Sequence, residues 1–532
     1  MATVIIGGGV AGLTAAIRLK ELLPLEEVIV VERAHVLRSG CLAAGVNALN
    51  NVLLDDTPES YVDFLKKEFP GLIEDELPLS LAKRLNETVE LLESWGANIP
   101  KDNGKFLRRG KRSIIVYGEN LKEVIAQKAL KTGIKIFNRT FVFDVETEQN
   151  QIVAVLAYDL TSRKFLRIAG DKYILATGGA AGLYQGANPY HPGSTWYPLS
   201  NSGVGHVLAV KAGAYLKSLE IRFIPLRVKG VAAPTGTLAM NVKGKLVNQK
   251  GEELKTKYQP ANTAERLKAV IEERRAGEVP AFVVEGVYRD ELIRAYFDMR
   301  PGAALLLRED KGEKIYLEVD GFEPLINGGH GLSGVMVDKN RKTAVENLWA
   351  CGDIAAGSPK KYVNGAMAEG LIAAEDVAGK EGGGRLEIQE IVFNLTSNLK
   401  GLVSPLSLKY GLNVIMEEYA GGKKTNYRYT ARSLEIGEEK LYSLKEKLGL
   451  AKITNPFDVL QFFEVKNQIL LATFLIKHMA LRTESRLPCY QERVDYPGKA
   501  PEDYLLISQL KEGRPVVERR KLNASALFEG AV

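Results

Sequence analysis

Cysteine is scarce in this 532-residue chain: Cys41, Cys351 and Cys489 are the only three, and no two lie close in sequence. That spacing excludes a disulfide framework, a CxxC redox pair and a cysteine-ligated cluster held by this chain alone. Five scattered histidines (His35, His191, His206, His330, His478) argue against a metal site. An excess of one charge is also missing: 71 Lys and Arg face 65 Asp and Glu, a net of +6. With no long basic run, there is no reason to expect nucleic-acid binding. The densest basic stretch, Lys105 to Arg112, is expected to be a solvated loop, with a docking patch for an acidic partner as the alternative. No long apolar run is unbroken either. Val459 to Leu481 is interrupted by Glu464, Lys466 and Asn467 and keeps helical spacing, so a packed helix is expected there and not a membrane span. The first strand begins at Thr3, which leaves no room for a signal peptide ahead of it and points to the cytoplasm. The length allows two to four domains, and 45% apolar with 26% charged residues is an ordinary globular composition.

What is present begins at residue 4. An apolar strand (Val4-Ile5-Ile6) runs into Gly7-Gly8-Gly9-Val10-Ala11-Gly12, followed by a helical stretch, a second strand (Val28 to Val31) and Glu32. Gly7 permits the tight turn, Gly9 lets backbone approach a pyrophosphate, and Gly12 lets the helix pack hard on the sheet. The helix N-terminus offers unpaired N–H groups to phosphates. Glu32, 20 residues beyond Gly12, stands where a carboxylate accepts hydrogen bonds from ribose hydroxyls. A dinucleotide site follows.

Two later strand ends complete such a domain. Lys172 to Gly179 is an apolar strand ending in Thr177-Gly178-Gly179, and Asn347 to Asp353 is a short strand ending in Gly352-Asp353. In this order they favour FAD over a nicotinamide cofactor. The candidate cofactor residues are Gly7, Gly9, Gly12, Glu32, Arg33, Ser39, Gly40, Thr177, Gly178, Gly179, Gly352 and Asp353. The expected class is α/β: a Rossmann-like FAD-binding domain with an inserted α+β capping domain and a C-terminal helical domain. The expected boundaries are 1–218 and 324–385 for the FAD domain, 219–323 for the cap, 386–483 for the helices and 484–532 for an irregular wrapping segment. Thr263 to Arg275 reads as an amphipathic helix in the cap.

These motifs, together with Thr483-Glu-Ser-Arg486 and Glu492-Arg-Val-Asp495-Tyr-Pro497, resemble the fumarate reductase/succinate dehydrogenase flavoprotein superfamily almost end to end. Within it, Arg38 to Asn50, Thr195-Trp196-Tyr197-Pro198 and Glu220 to Arg227 are most similar to adenylylsulfate reductase alpha subunits. The resemblance implies FAD, an electron-donating ferredoxin-like iron–sulfur subunit, and a small anionic substrate. Succinate dehydrogenases attach FAD through a His directly after the Ser, where this chain has Gly40, so a noncovalent flavin is expected. Fumarate reductases place a His before the Pro of the cap-entry strand, and here Ile224 precedes Pro225. Asn50, Tyr61, Glu119, Trp196, Arg222 and His330 fall where the adenylylsulfate reductase pattern has substrate-site residues. Its second arginine falls on Val284, leaving Arg289 or Arg227 to supply that charge.

An oxyanion needs cations aimed at the reacting centre. Arg222, with its planar fork, and His330, set among glycines, are the candidate catalytic residues. Asn50, Tyr61, Glu119, Trp196 and Arg227 are the candidate substrate residues. The expected function is that of an adenylylsulfate-reductase-alpha-like subunit. The alternatives are a fumarate reductase-type enzyme, moving hydride to or from an activated C–C bond, and a flavin subunit that only relays electrons.

Overall fold

The computed structural model describes residues 2–185, 197–229, 242–286, 314–395 and 400–522. Its centre is a parallel sheet. In chain order the contributing elements are β1 (Ala2–Ile6), α1 (Val10–Leu22), β2 (Glu27–Val31), α2 (Pro58–Glu68), α3 (Leu121–Lys131), β3 (Lys135–Phe137), β4 (Lys172–Leu175), β5 (Leu348–Ala350) and α4 (Tyr362–Ala378). The strand order is β5-β4-β1-β2-β3, with Val4 opposite both Tyr173 and Ile29. The run of Val and Ile suits strands buried on both faces. Ile5, Val28, Val30 and Ile174 pack under α1, α3 and α4, whereas Val4, Ile6, Ile29 and Val31 point the other way. Gly370 lets α4 cross α1 closely, since a Cβ there would stand 2.5 Å from the Ala11 carbonyl.

The opposite face is covered by an antiparallel sheet of Thr140–Glu148, Gln151–Asp159, Lys164–Ala169 and Glu387–Ile391. The cap is a four-stranded sheet, Leu226–Val228, Lys314–Gly321, Ala281–Glu285 and Lys245–Val247, carrying the helix Thr263–Arg275. Asn262 caps that helix by accepting from the Glu265 N–H.

Three helices follow: Pro405–Tyr419, Ala431–Glu446 and Pro456–Leu481. Ser404, Thr430 and Asn455 cap them, two with Pro in the first turn. Pro456–Leu481 is long and apolar enough to cross a membrane, yet 72% of its apolar window is buried inside the fold. It is a core helix.

Two expectations need correction. The region after 386 opens with a strand, Glu387–Ile391, which completes the antiparallel sheet through Lys164–Ala169. The segment after 484 is not irregular throughout. Tyr504–Lys511 and Arg514–Lys521 form a hairpin whose first strand pairs with Leu216–Lys217. Both turn residues, Glu512 and Gly513, have positive φ, as a two-residue hairpin turn of this hand demands.

Candidate functional site

A cavity of about 570 Å³ starts at Glu32 and Arg33, passes Ser39, Gly40, Thr177, Gly178, Gly352 and Asp353, and ends under the cap at Arg227 and His330. At the first end, Gly7 has φ +109, and a Cβ there would meet the Ala176 carbonyl at 2.4 Å. A Cβ on Gly12 would stand 2.0 Å from the Gly7 oxygen, so Gly12 serves packing without lining the cavity. Gly9 differs. It caps α1 in extended conformation without a side-chain bond, and a Cβ would find only one atom, at 4.0 Å. The open space beside it and the first N–H groups of α1 suit a phosphate. Glu32 is held by the N–H groups of Gly8 and Ala34, each at 2.7 Å. Arg33 reaches the Ser200 carbonyl and pairs with Glu464.

In the middle, small residues make a narrow passage. Gly178 has φ +76, and the Gly179 N–H donates to the Tyr197 hydroxyl at 2.8 Å. Tyr197 in turn donates to Asp353 at 2.9 Å, closing the seam between the two strand ends. Burial raises the Asp353 carboxyl above its ordinary range. Thr177 Oγ1 is buried in this wall without a hydrogen-bond partner among the described residues. Gly40 has φ +78 and carries no side chain from which a covalent link to a ligand can start. An elongated passage with phosphate donors and a fixed carboxylate at one end and an unanswered hydroxyl in its middle fits FAD.

Under the cap, Asn50 lines the cavity, as do Phe64 and Glu68 from α2. Phe64 lies between two cations, Arg112 at 5.0 Å and Lys360 at 5.3 Å from its ring centre. Lys360 also pairs with Glu68 at 2.9 Å. The His330 turn is shaped by Asn327, whose Oδ1 accepts from the Gly329 and His330 N–H groups at 2.7 and 2.8 Å. The ring packs against Phe223 and Tyr362. Burial, with Arg227 and Lys360 nearby, pushes its pKa down to about 3, so the imidazole is neutral at pH 7.

Several candidates are placed elsewhere. Arg222 is fully buried and does not line the cavity. Its guanidinium donates to the Tyr184 hydroxyl and to the carbonyls of Ala420, Gly421 and Tyr427, tying the cap entry to the helical region. Tyr61 is buried in the core, with its hydroxyl on the Pro359 and Lys360 carbonyls. Glu119 is exposed and outside the lining. Val284 is buried in the cap core, and Trp196 and Arg289 lie outside the described residues. Of the arginines weighed for the missing charge, Arg227 is the one the cavity presents. The basic stretch is a hairpin and not a loop throughout: Arg108–Gly110 pairs with Ser113–Gly118 across a turn at Lys111 and Arg112, Lys105, Arg108 and Lys111 are exposed to solvent, and Arg109, Lys111 and Arg112 line the cavity. Spacing did not reveal the place of Tyr197 in the cavity wall.

Fold and cavity together define a flavoprotein oxidoreductase. Residues 2–366 match the FAD binding domain family, and the chain belongs to it. The adenylylsulfate reductase alpha subunit of Megalodesulfovibrio gigas is 24% identical, with 93% of this chain and 90% of that protein covered. A fumarate reductase (CoM/CoB) subunit of Methanothermobacter marburgensis is 23% identical over 94% of this chain and 95% of its own. The solved adenylylsulfate reductase of the hyperthermophile Archaeoglobus fulgidus superposes with a TM-score of 0.87 at 26% identity, covering 100% of this chain and 97% of that one. The chain is thus an FAD-dependent enzyme similar to adenylylsulfate reductase alpha and fumarate reductase subunits.

Proposed function

We propose that this chain is the catalytic subunit of an adenylylsulfate-reductase-like enzyme, acting on a small sulfur oxyanion ester with electrons from an iron–sulfur partner. The observation that carries the proposal is the pairing of Arg227 with a neutral His330 under the cap, in a cavity whose outer wall adds Lys360, Arg112, Lys111 and Arg109. FAD held along Gly9, Glu32, Thr177 and Gly352 would supply the two electrons such a reduction needs. The chain's own residues do the rest. Arg227 offers a planar fork to two oxygens and stays charged. Lys360 adds a point charge, and Phe223, Leu487 and Tyr490 exclude water beside it. Neutral His330 can donate or accept one hydrogen bond at its ring nitrogens. Three scattered cysteines and a single dinucleotide motif support a reading in which the electrons arrive from another protein.

A dicarboxylate is the second reading, favoured by the fumarate reductase relative and weakened by Ile224 before Pro225. Anaerobic flavin absorbance of the purified holoenzyme separates the two. Sulfite is expected to bleach the flavin, more so with AMP present, and Arg227→Ala is expected to weaken that response at least tenfold while FAD stays bound. Reduction by succinate selects the second reading. Silence toward both leaves a flavin subunit that only relays electrons.

A further inference from the structure

Below the nucleotide turn sits a buried cation that the cavity lining does not include. Lys122, the second residue of α3, is 3% exposed. Its ammonium donates to the Gly8 carbonyl, which also accepts from Ser39 Oγ at 3.4 Å. Gly8 is held on its other side by Glu32, which accepts its N–H at 2.7 Å. No carboxylate lies within ion-pair distance of Lys122 among the described residues; both oxygens of Glu32 are taken by backbone N–H groups. Glu32 acts on Lys122 only at a distance, and burying an ammonium without a directly paired counter-charge is costly. A cost of that kind persists when something else offsets it.

The ligand offers the missing charge. Gly7 and Gly9 line the cavity on either side of Gly8, and the N-terminus of α1 opens toward the same place. A diphosphate bound there brings two negative charges to a turn whose carbonyl oxygens would repel it. With its oxygen fixed on Lys122 and Ser39, Gly8 cannot rotate that carbonyl into the cavity. With the Gly7 and Gly8 N–H groups bonded to Val31 and Glu32, the Gly9 N–H and the first N–H groups of α1 are left to face the phosphates, with the Lys122 charge behind the turn.

We propose that Lys122 is a positioning residue for the FAD diphosphate: it locks the Gly8 carbonyl away from the ligand and supplies the buried charge that the phosphates answer. The assignment is independent of the substrate, because it concerns retention of the cofactor alone. It also predicts a separation that a packing role would not produce. A packing lysine, when replaced, weakens the empty protein, whereas Lys122 burdens the empty protein and helps only the loaded one.

The test strips FAD from the full chain, measures thermal unfolding of the apoprotein, and titrates FAD back by flavin fluorescence. Lys122→Met is expected to leave the apoprotein melting temperature unchanged or raised and to weaken FAD binding at least tenfold. Lys122→Gln, which keeps a donor for Gly8 but no charge, is expected to lose less affinity than Lys122→Met and more than wild type. An FAD dissociation constant within twofold of wild type in Lys122→Met overturns the proposal. So does a fall in apoprotein melting temperature without loss of affinity, or failure of both variants to fold.

Discussion

At Gly8 the backbone N–H donates to Glu32 at 2.7 Å and the carbonyl accepts from Lys122. At Gly352, on the far side of the cavity, the N–H donates to Glu369 at 2.8 Å and the carbonyl accepts from Lys361 at 2.7 Å. The same two residue types grip both turns. They differ in what joins glutamate to lysine. Lys361 lies 2.9 Å from Glu369, and Arg341 approaches that carboxylate at 3.0 Å, all three side chains fully buried. Glu32 and Lys122 hold the same residue without an ion pair between them. One turn is therefore electrostatically closed by the protein, and the other is left open for the ligand to close. Burial lowers the pKa of both lysines against an opposing carboxylate, Glu369 for Lys361 and Glu32 for Lys122, and the Lys122 value falls to about 8.

The largest expected effect tests the closed turn. Glu369→Ala leaves Arg341 and Lys361 buried without their shared carboxylate and the Gly352 N–H without its acceptor. Removing one partner from a buried ion pair costs roughly 3–5 kcal/mol. Denaturant unfolding of the apoprotein should show a loss of that size. Glu32→Ala strands two N–H groups beside an open cavity, where water can reach them, so the expected loss is nearer about 1–2 kcal/mol. Equal losses in the two variants would break the comparison.

A smaller effect separates the glycines themselves. Gly352 has φ +80, and a Cβ would stand 2.8 Å from that of Ala11. Gly352→Ala should cost the apoprotein about 1–2 kcal/mol from the left-handed backbone alone. Gly9 has φ −72 and open space, so Gly9→Ala should change apoprotein stability by less than about 1 kcal/mol. Its methyl group would instead occupy the room a phosphate needs. Thermal unfolding and FAD titration of the two variants should therefore rank them in opposite orders.

The open turn was largely legible in the sequence, and its partners were not. Gly7, Gly9, Gly12 and Glu32 follow from local periodicity, because one βαβ unit contains them all. Lys122 is 114 residues from Gly8, and Tyr197 is 156 from Asp353, so no spacing rule joins them. Under the cap the ambiguity was finer. Arg222 and Arg227 are five residues apart, and only the carbonyls near residue 420 decide that the first turns inward. On α2, a shift of three residues separates core-facing Tyr61 from cavity-facing Phe64. The basic stretch carried the right charges, but charge alone did not say that its strands would fold against Asn50.

The smallest expected effect is also the most specific to the open turn. With its pKa near 8, Lys122 in the folded apoprotein releases its proton well below the ordinary value of 10.5, at which the unfolded chain would release it. Between those two values the unfolded state binds more protons, so the Lys122 contribution to apoprotein stability should rise with pH across that window. FAD binding should run the other way. The diphosphate favours the ammonium, and only the Glu32 carboxylate otherwise pulls the pKa up, so affinity should fall as pH rises through about 8. If bound FAD raises the Lys122 pKa by about one unit, affinity should drop roughly fivefold to tenfold between pH 7 and pH 9.5. Other titrating groups are common to wild type and Lys122→Met, so the difference between their profiles isolates this one ammonium. Opposite slopes that both vanish in the variant would mark a turn completed by its ligand; parallel slopes would mean that Gly8, like Gly352, is already complete without it.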